Sequence, residues 1–225
     1  MTLQPILTQD GSHTLFVPEL NEVYHSRFGA IRESKQVFIE AGLHYFHSPG
    51  QLSILEIGFG TGLNAFLTMM EAAGNGLFIS YTSLEDYPVD VSVYSLLNYP
   101  EISGYSEMRP DFIQLHSSPW NKPVNITPFF ALTKVHDRLE TFHPEPESHE
   151  LIYFDAFGPD IQPELWTENI FRKMYETLKP GGILTTYSAK GSVRRAMKTA
   201  GFGIEKLPGP PGKREITRGI KPDNA

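Results

Sequence analysis

Apolar residues along the chain fall into short strand-length runs separated by stretches of helical period. The runs at 53–57, 78–85, 129–135, 151–154 and 183–188 have the length and content of buried strands. Helical patterns fill 62–73, a short piece near 91–98, 163–178 and 192–200. Strands alternating with helices predict a mostly parallel α/β sheet with helices on both faces. Two further segments, 203–207 and 215–219, resemble a terminal hairpin pair joined by the stiff loop 208–214, which makes seven strands in all. Ahead of these lie a short strand at 14–17 and a helix at 33–45, where Val37, Phe38, Ala41 and Tyr45 recur as one core-facing stripe. Residues 89–130, rich in proline and aromatics, show little periodicity. The organisation expected is an extension over 1–50 and one globular unit over 51–225.

The first long run ends in Glu56-x-Gly58-Phe59-Gly60-Thr61-Gly62. Glycines between a strand and a helix permit positive φ and close backbone approach, and the helix start offers unpaired N–H groups to a polar ligand. Two cofactor classes use such a turn. A dinucleotide site reads Gly60-x-Gly62-x-x-Ala65, with Glu85 on a ribose about twenty residues later. A class I (Rossmann-like) methyltransferase reads Glu56, Gly58, Gly60 and Gly62 together, with the aminoacyl part of S-adenosylmethionine over the glycines and its ribose on Glu85. The second reading uses every residue and also accounts for Lys179-Pro180-Gly181-Gly182 before the fifth strand.

Carboxylates then recur at strand ends, where the ligand crevice of such a sheet lies. Glu85 is placed to accept two ribose hydroxyls. Asp137 either accepts from the adenine amine or caps the next helix. Asp155 is the catalytic candidate: it can accept a hydrogen bond from an attacking amine, orient the lone pair, and relay the proton the amine must lose. Phe157 and Pro159 supply an apolar wall for a flat ring. In the extension, Tyr24 and Ser26 can line a lid folded over the cofactor.

Composition narrows the chemistry. The chain of 225 residues has no cysteine, which excludes disulfides, thiolate zinc sites and cysteine nucleophiles. Its eight histidines are scattered without metal-ligand spacing, so no metal is expected. Neither a secretory start nor an apolar run of membrane-spanning length is present, and a cytoplasmic protein is expected. The net charge of -7 argues against nucleic acid, but its distribution is uneven. From Lys190 to Lys221 the basic residues, among them Arg194, Arg195, Lys198, Lys213 and Arg214, face only Glu205 and Glu215.

The residues that carry a resemblance are Leu55 to Asn64, Ser83-Leu84-Glu85-Asp86-Tyr87-Pro88, Phe154-Asp155-Ala156-Phe157-Gly158-Pro159 with Pro163-Glu164-Leu165-Trp166, Gly212-Lys213-Arg214-Glu215, and the early Tyr24-His25-Ser26 with Gly29, Glu33 and Phe38. Together they resemble the methyltransferase part of the MnmC proteins over about residues 10 to 220. The resemblance implies S-adenosylmethionine-dependent methylation of the 5-aminomethyl group of wobble (2-thio)uridine in tRNA. It implies the stand-alone form, without the flavin-dependent oxidase of fused members, so no FAD is expected. It assigns the acceptor amine to Asp155, the pocket to Phe157 and Pro159, and the cofactor to Glu56, Gly58, Gly60, Glu85 and Asp137. It turns Arg194, Arg195, Lys198, Lys213 and Arg214 into candidates for tRNA backbone contact. The Ala156-Phe157-Gly158-Pro159 order departs from the commoner Gly-Phe-Ala-Pro. A propylamine transferase, a small-molecule amine methyltransferase, and a non-catalytic adenosylmethionine- and RNA-binding subunit are the competing readings. The sequence sets no oligomeric state.

Overall fold

The computed structural model describes residues 2–47 and 50–223. The extension opens with strands β1 (Gln4–Leu7), β2 (His13–Val17) and β3 (Glu22–Val23), an antiparallel three-stranded sheet of which the pattern predicts only the middle strand. Helix α1 (Ala30–Ser34) then runs into a π-helical turn at Lys35–Glu40 and a 3-10 turn at Leu43–Tyr45, in place of one helix over 33–45. The wider turn, closed by Ala41 N–H onto the Gln36 carbonyl at 3.1 Å, buries the consecutive Val37, Phe38 and Ile39, which a regular helix would spread around its circumference.

The main body continues through β4 (Gln51–Ile57), α2 (Leu63–Asn75), β5 (Phe78–Glu85), α3 (Val91–Tyr94), α4 (Tyr99–Ile102), α5 (Arg109–Ser117), β6 (Pro123–Thr127), β7 (Phe130–His136), β8 (His149–Phe154), α6 (Glu168–Thr177), β9 (Leu178–Thr186), α7 (Gly191–Thr199), β10 (Gly203–Pro208) and β11 (Glu215–Ile220). One sheet takes the order β10-β11-β9-β8-β4-β5-β7-β6. The five central strands are parallel, and β11, β10 and β6 are antiparallel to their neighbours.

All seven expected strands are present, and β6 is an eighth. It begins on a proline, which suits only an edge, and it pairs with β7 alone through a register shift. The expected helix over 163–178 is divided: Pro163–Trp166 forms a 3-10 turn, and the extended Thr167 caps α6 with its side chain. Lys179-Pro180-Gly181-Gly182 lies inside β9 instead of before it, and the β8–β9 register shifts there.

Side chains alternate across the central strands into two cores. Ile54, Tyr81, Phe130 and Tyr153 meet Phe66, Phe112 and the π-turn residue Phe38 on one face. Leu55, Ile152, Phe154 and Leu184 meet Phe171, Met174 and Met197 on the other. Because Leu15, Ala30 and Phe38 belong to the first core, the extension is packed into the main body. Among the described residues no helix is long and apolar enough to cross a membrane.

Candidate active site

β4 lies between β5 and β8, so chain connections diverge from it in both directions and leave a crevice at its carboxyl end. A cavity of ≈ 820 Å³ opens there, walled by the ends of β4, β5, β7, β8 and β9 and by residues of the extension and of the 208–215 loop.

The floor is the glycine turn. Gly58 has φ +93°, and a Cβ there would stand 2.8 Å from the Asp155 carbonyl oxygen, so β4 and β8 exits approach each other only without a side chain. Gly60 donates its N–H to Glu85 Oε2 at 2.8 Å, while Tyr87 N–H reaches Glu85 Oε1 at 2.8 Å. Each oxygen of this carboxylate is thus fixed before any ligand arrives. Burial raises the Glu85 pKa, and the Gly60 and Tyr87 N–H groups oppose that rise.

Phe59 and Thr61 line the cavity beside these glycines. Gly62 does not; it caps α2 at φ +70°, with His116 Nε2 2.8 Å from where its Cβ would be. Thr61 is held from two sides, its hydroxyl by His25 Nε2 at 2.8 Å and its carbonyl by His116 Nε2 at 3.0 Å. Burial lowers the His25 pKa to about 4 and that of His116 to about 3, so both rings are neutral clamps.

Glu56 is absent from the cavity wall. It is 0 % exposed, accepts the Ser83 hydroxyl at 2.6 Å, and has its pKa raised by burial to about 8. It stands on the same face of β4 as Ile54, in register with Ser83 of β5 and buried within the first core layer. Asp137 does line the cavity, but its Oδ1 already accepts from Arg138 N–H and the Thr141 hydroxyl, both at 2.7 Å. Among the described residues no helix lies between β7 and β8, so there is none for Asp137 to cap; its Oδ1 closes the turn that leads toward β8 instead.

At the exit of β8, Asp155 accepts from Asn64 Nδ2 at 2.8 Å. Burial pushes its carboxyl well above the usual range, Asn64 pulls it back, and the charge of Glu33 adds to the rise. Phe157 meets the Tyr24 ring edge to face at 5.0 Å, and Tyr24 lies over Gly60, so one aromatic links both halves. Pro159 and Ser26 complete this wall.

The basic candidates separate. Lys213 and Arg214 line the cavity. Arg194 is 14 % exposed and occupied within the fold, donating to Glu215, Thr217 and the Ile216 carbonyl. It braces β11, and no free guanidinium is left for a backbone phosphate. Arg195 is exposed and, with Arg194, Lys198 and Lys206, borders a separate shallow depression.

Residues without a role assigned from sequence are Asn64, His25, Glu33 and Tyr187. Asn64 follows the glycine turn by two positions, the one local signal that could have marked it; the others arrive from segments remote in sequence. Among the described residues no group of three or more histidines and carboxylates is arranged to hold a metal ion.

A family model described as S-adenosyl-L-methionine-dependent methyltransferase matches residues 125–222. The chain is 28% identical over 225 residues to the tRNA 5-methylaminomethyl-2-thiouridine biosynthesis bifunctional protein MnmC of Chromobacterium violaceum, covering 95% of this chain and 34% of that protein. For the protein of the same name from Cupriavidus metallidurans the identity is 31%, over 95% of this chain and 33% of that one. The chain thus spans about a third of the length of these curated relatives. Among solved structures, MnmC2 from Aquifex aeolicus superposes with a TM-score of 0.77 at 26% identity, covering 97% of this chain and 69% of that one. Spermidine synthase from Thermotoga maritima, at a TM-score of 0.50 and 12% identity, shares the fold alone. The chain is MnmC-like, and its fold is that of a class I methyltransferase.

Proposed function

We propose that this MnmC-like chain methylates the amine of 5-aminomethyl(-2-thio)uridine at the wobble position of tRNA, giving the 5-methylaminomethyl nucleoside. The observation that carries the proposal is Asp155: a carboxylate at the end of β8, fixed by Asn64, facing a cavity whose other half has a preset Glu85 and a glycine floor. The names of the relatives and the methyltransferase family model support the same reading.

The cavity suits S-adenosyl-L-methionine, because the close approach at Gly58 leaves a side-chain-free floor and Glu85 presents a carboxylate already held from behind. When bound, that molecule supplies a methyl group on a positively charged sulfur. Gly58, Phe59, Gly60 and Thr61 line its place, Glu85 accepts from ribose hydroxyls, and the free edge of Asp137 faces the adenine amine. Tyr24 and Ser26 cover it from the extension, which acts as the cofactor lid.

An alkyl amine reaches the site mostly as an ammonium ion. Asp155 attracts it, and a carboxyl whose pKa is raised by burial accepts a proton near neutrality more readily than an exposed one. With the proton on one carboxyl oxygen, the other accepts a remaining N–H, so the nitrogen lone pair turns into the cofactor half. Phe157 and Pro159 confine the pyrimidine ring. Arg195 and Arg214, both exposed, contribute salt-sensitive attraction to the RNA backbone. The reaction takes place where tRNA is found, in the cytoplasm. A propylamine transferase fits less well: of the carboxylates that a polycation needs, Glu33 is paired with Lys213 and Asp160 with Lys190.

The test is methyl transfer from labelled S-adenosylmethionine to bulk tRNA from cells lacking the wobble-uridine methyltransferase, followed by nucleoside analysis. Labelled 5-methylaminomethyl nucleoside is expected. Cofactor binding without any labelled nucleoside overturns the assignment and favours a small amine acceptor.

A further inference from the structure

Lys213 is the cation inside the cavity that the backbone-contact reading does not explain. Its Nζ lies 2.7 Å from Glu33 Oε1 and 4.0 Å from the centre of the Tyr187 ring. Glu33 is 9% exposed, and its other oxygen accepts the Ser26 N–H at 2.7 Å, so this carboxylate is a fixed anchor. Tyr187 is fixed as well, its hydroxyl donating to the Ala156 carbonyl at 2.8 Å, one residue from Asp155. An ammonium group has three N–H donors. Glu33 takes one and the ring face holds the charge, which leaves donor capacity toward the cavity that Asp155 shares. A phosphate on the outer surface is a poor match for a lysine tethered inward in this way.

The acceptor proposed above supplies a partner. In a 5-aminomethyluracil the amine arm leaves ring carbon C5, and the adjacent carbon C4 carries a carbonyl. Amine and carbonyl oxygen therefore lie along one edge of the ring. A wall that receives the amine on a carboxylate can fix the ring's register by placing a donor beside it, and a site built to hydrogen-bond a substrate group discriminates strongly against analogues lacking it. We infer that Lys213 donates a hydrogen bond to the C4 carbonyl oxygen of the acceptor uracil, setting the ring so that its aminomethyl arm meets Asp155. This inference rests on the acceptor reading given under Proposed function.

The experiment uses anticodon stem-loop RNA carrying either 5-aminomethyluridine or its 4-deoxy analogue at the wobble position, with wild type, Lys213→Met and Lys213→Arg. On the first RNA, Lys213→Met is expected to lower kcat/KM by about 10- to 100-fold, the range of one hydrogen bond to a charged group. Calorimetric affinity for S-adenosylmethionine stays within about twofold, and Lys213→Arg recovers part of the loss. The 4-deoxy RNA costs wild type a similar factor, whereas Lys213→Met no longer distinguishes the two RNAs. Discrimination that persists in Lys213→Met overturns the inference. So does a salt dependence of kcat/KM flattened by about 0.7 in logarithmic slope, the mark of one lost single-strand phosphate contact. Equal use of both RNAs by wild type overturns it without recourse to any variant. Failure of wild type to methylate either RNA instead removes the underlying assignment of function.

Discussion

The two halves of the cavity are built in opposite ways. The floor of the proposed cofactor half comes from one short stretch, residues 58–61, plus Glu85 at the end of the adjacent parallel strand, and its internal bonds run between backbone groups and fixed side chains. The acceptor half is drawn from the extension, the β8 exit and the 208–215 loop, joined by Glu33–Lys213, Tyr24–Phe157 and the Gln36 amide on the Pro208 carbonyl at 2.8 Å. In the proposed reading a contiguous turn positions the cofactor, and specificity for one acceptor is left to remote segments that can change without disturbing that turn.

If the halves are separable in this sense, substitutions will split binding from turnover. The largest effect is expected for Asp155→Ala: methyl transfer should fall by about 10²-fold or more, the scale of a lost acid-base group, with S-adenosylmethionine affinity within a few-fold in calorimetry. Equal loss of both would move Asp155 into the cofactor half. Glu85→Ala is the converse. Losing a charge-assisted acceptor of hydroxyls is expected to weaken cofactor affinity by about 10- to 100-fold. At saturating cofactor the turnover number should change far less, which single-turnover kinetics can read.

Glu56→Gln sharpens the comparison from below the turn. The Glu56 carboxyl is raised from 4.5 to about 8 in the fold, so the unfolded chain loses this proton first as pH rises. Its contribution to stability is complete below about pH 4.5 and is lost as the pH approaches 8. The neutral glutamine variant is expected to match wild type in thermal unfolding at pH 5. At pH 8.5 it should unfold higher, by roughly 2–4 °C for each kcal/mol regained. Parallel melting curves across that range would assign the pH dependence to another group. The smallest effect belongs to the surface: Arg195→Glu should raise KM for tRNA a few-fold at low salt and less at high salt, while Arg194→Glu should instead lower the melting temperature by removing the brace on β11.

Sequence made the glycine turn and its link to Glu85 legible because their physics is local. Positive φ at Gly58 and Gly60, and a carboxylate at the end of the next strand, are encoded within thirty residues. The parallel strands were readable for a similar reason, since burial on both faces leaves unbroken apolar runs. β6 escaped notice because an edge strand starting with proline lacks such a run, and the π-turn because a helical stripe of apolar residues does not reveal one extra residue per turn. The fates of Arg194 and Lys213 were illegible for a stronger reason. A basic residue in a basic stretch looks the same whether its charge meets solvent, Glu215 or Glu33, and only the fold brings those partners within reach.

The Glu33–Lys213 pair also bears on the order in which the molecule comes into being. A ribosome delivers Glu33 long before Lys213, and by then the residues of β4, β5, β7, β8 and β9 have already emerged. The parallel sheet and its glycine turn can form on the nascent chain while Glu33 still lacks its counter-ion. The wall that holds Lys213 closes last, so, on the proposed reading, a chain stalled before residue 213 presents a cofactor cradle with no means of choosing what is methylated.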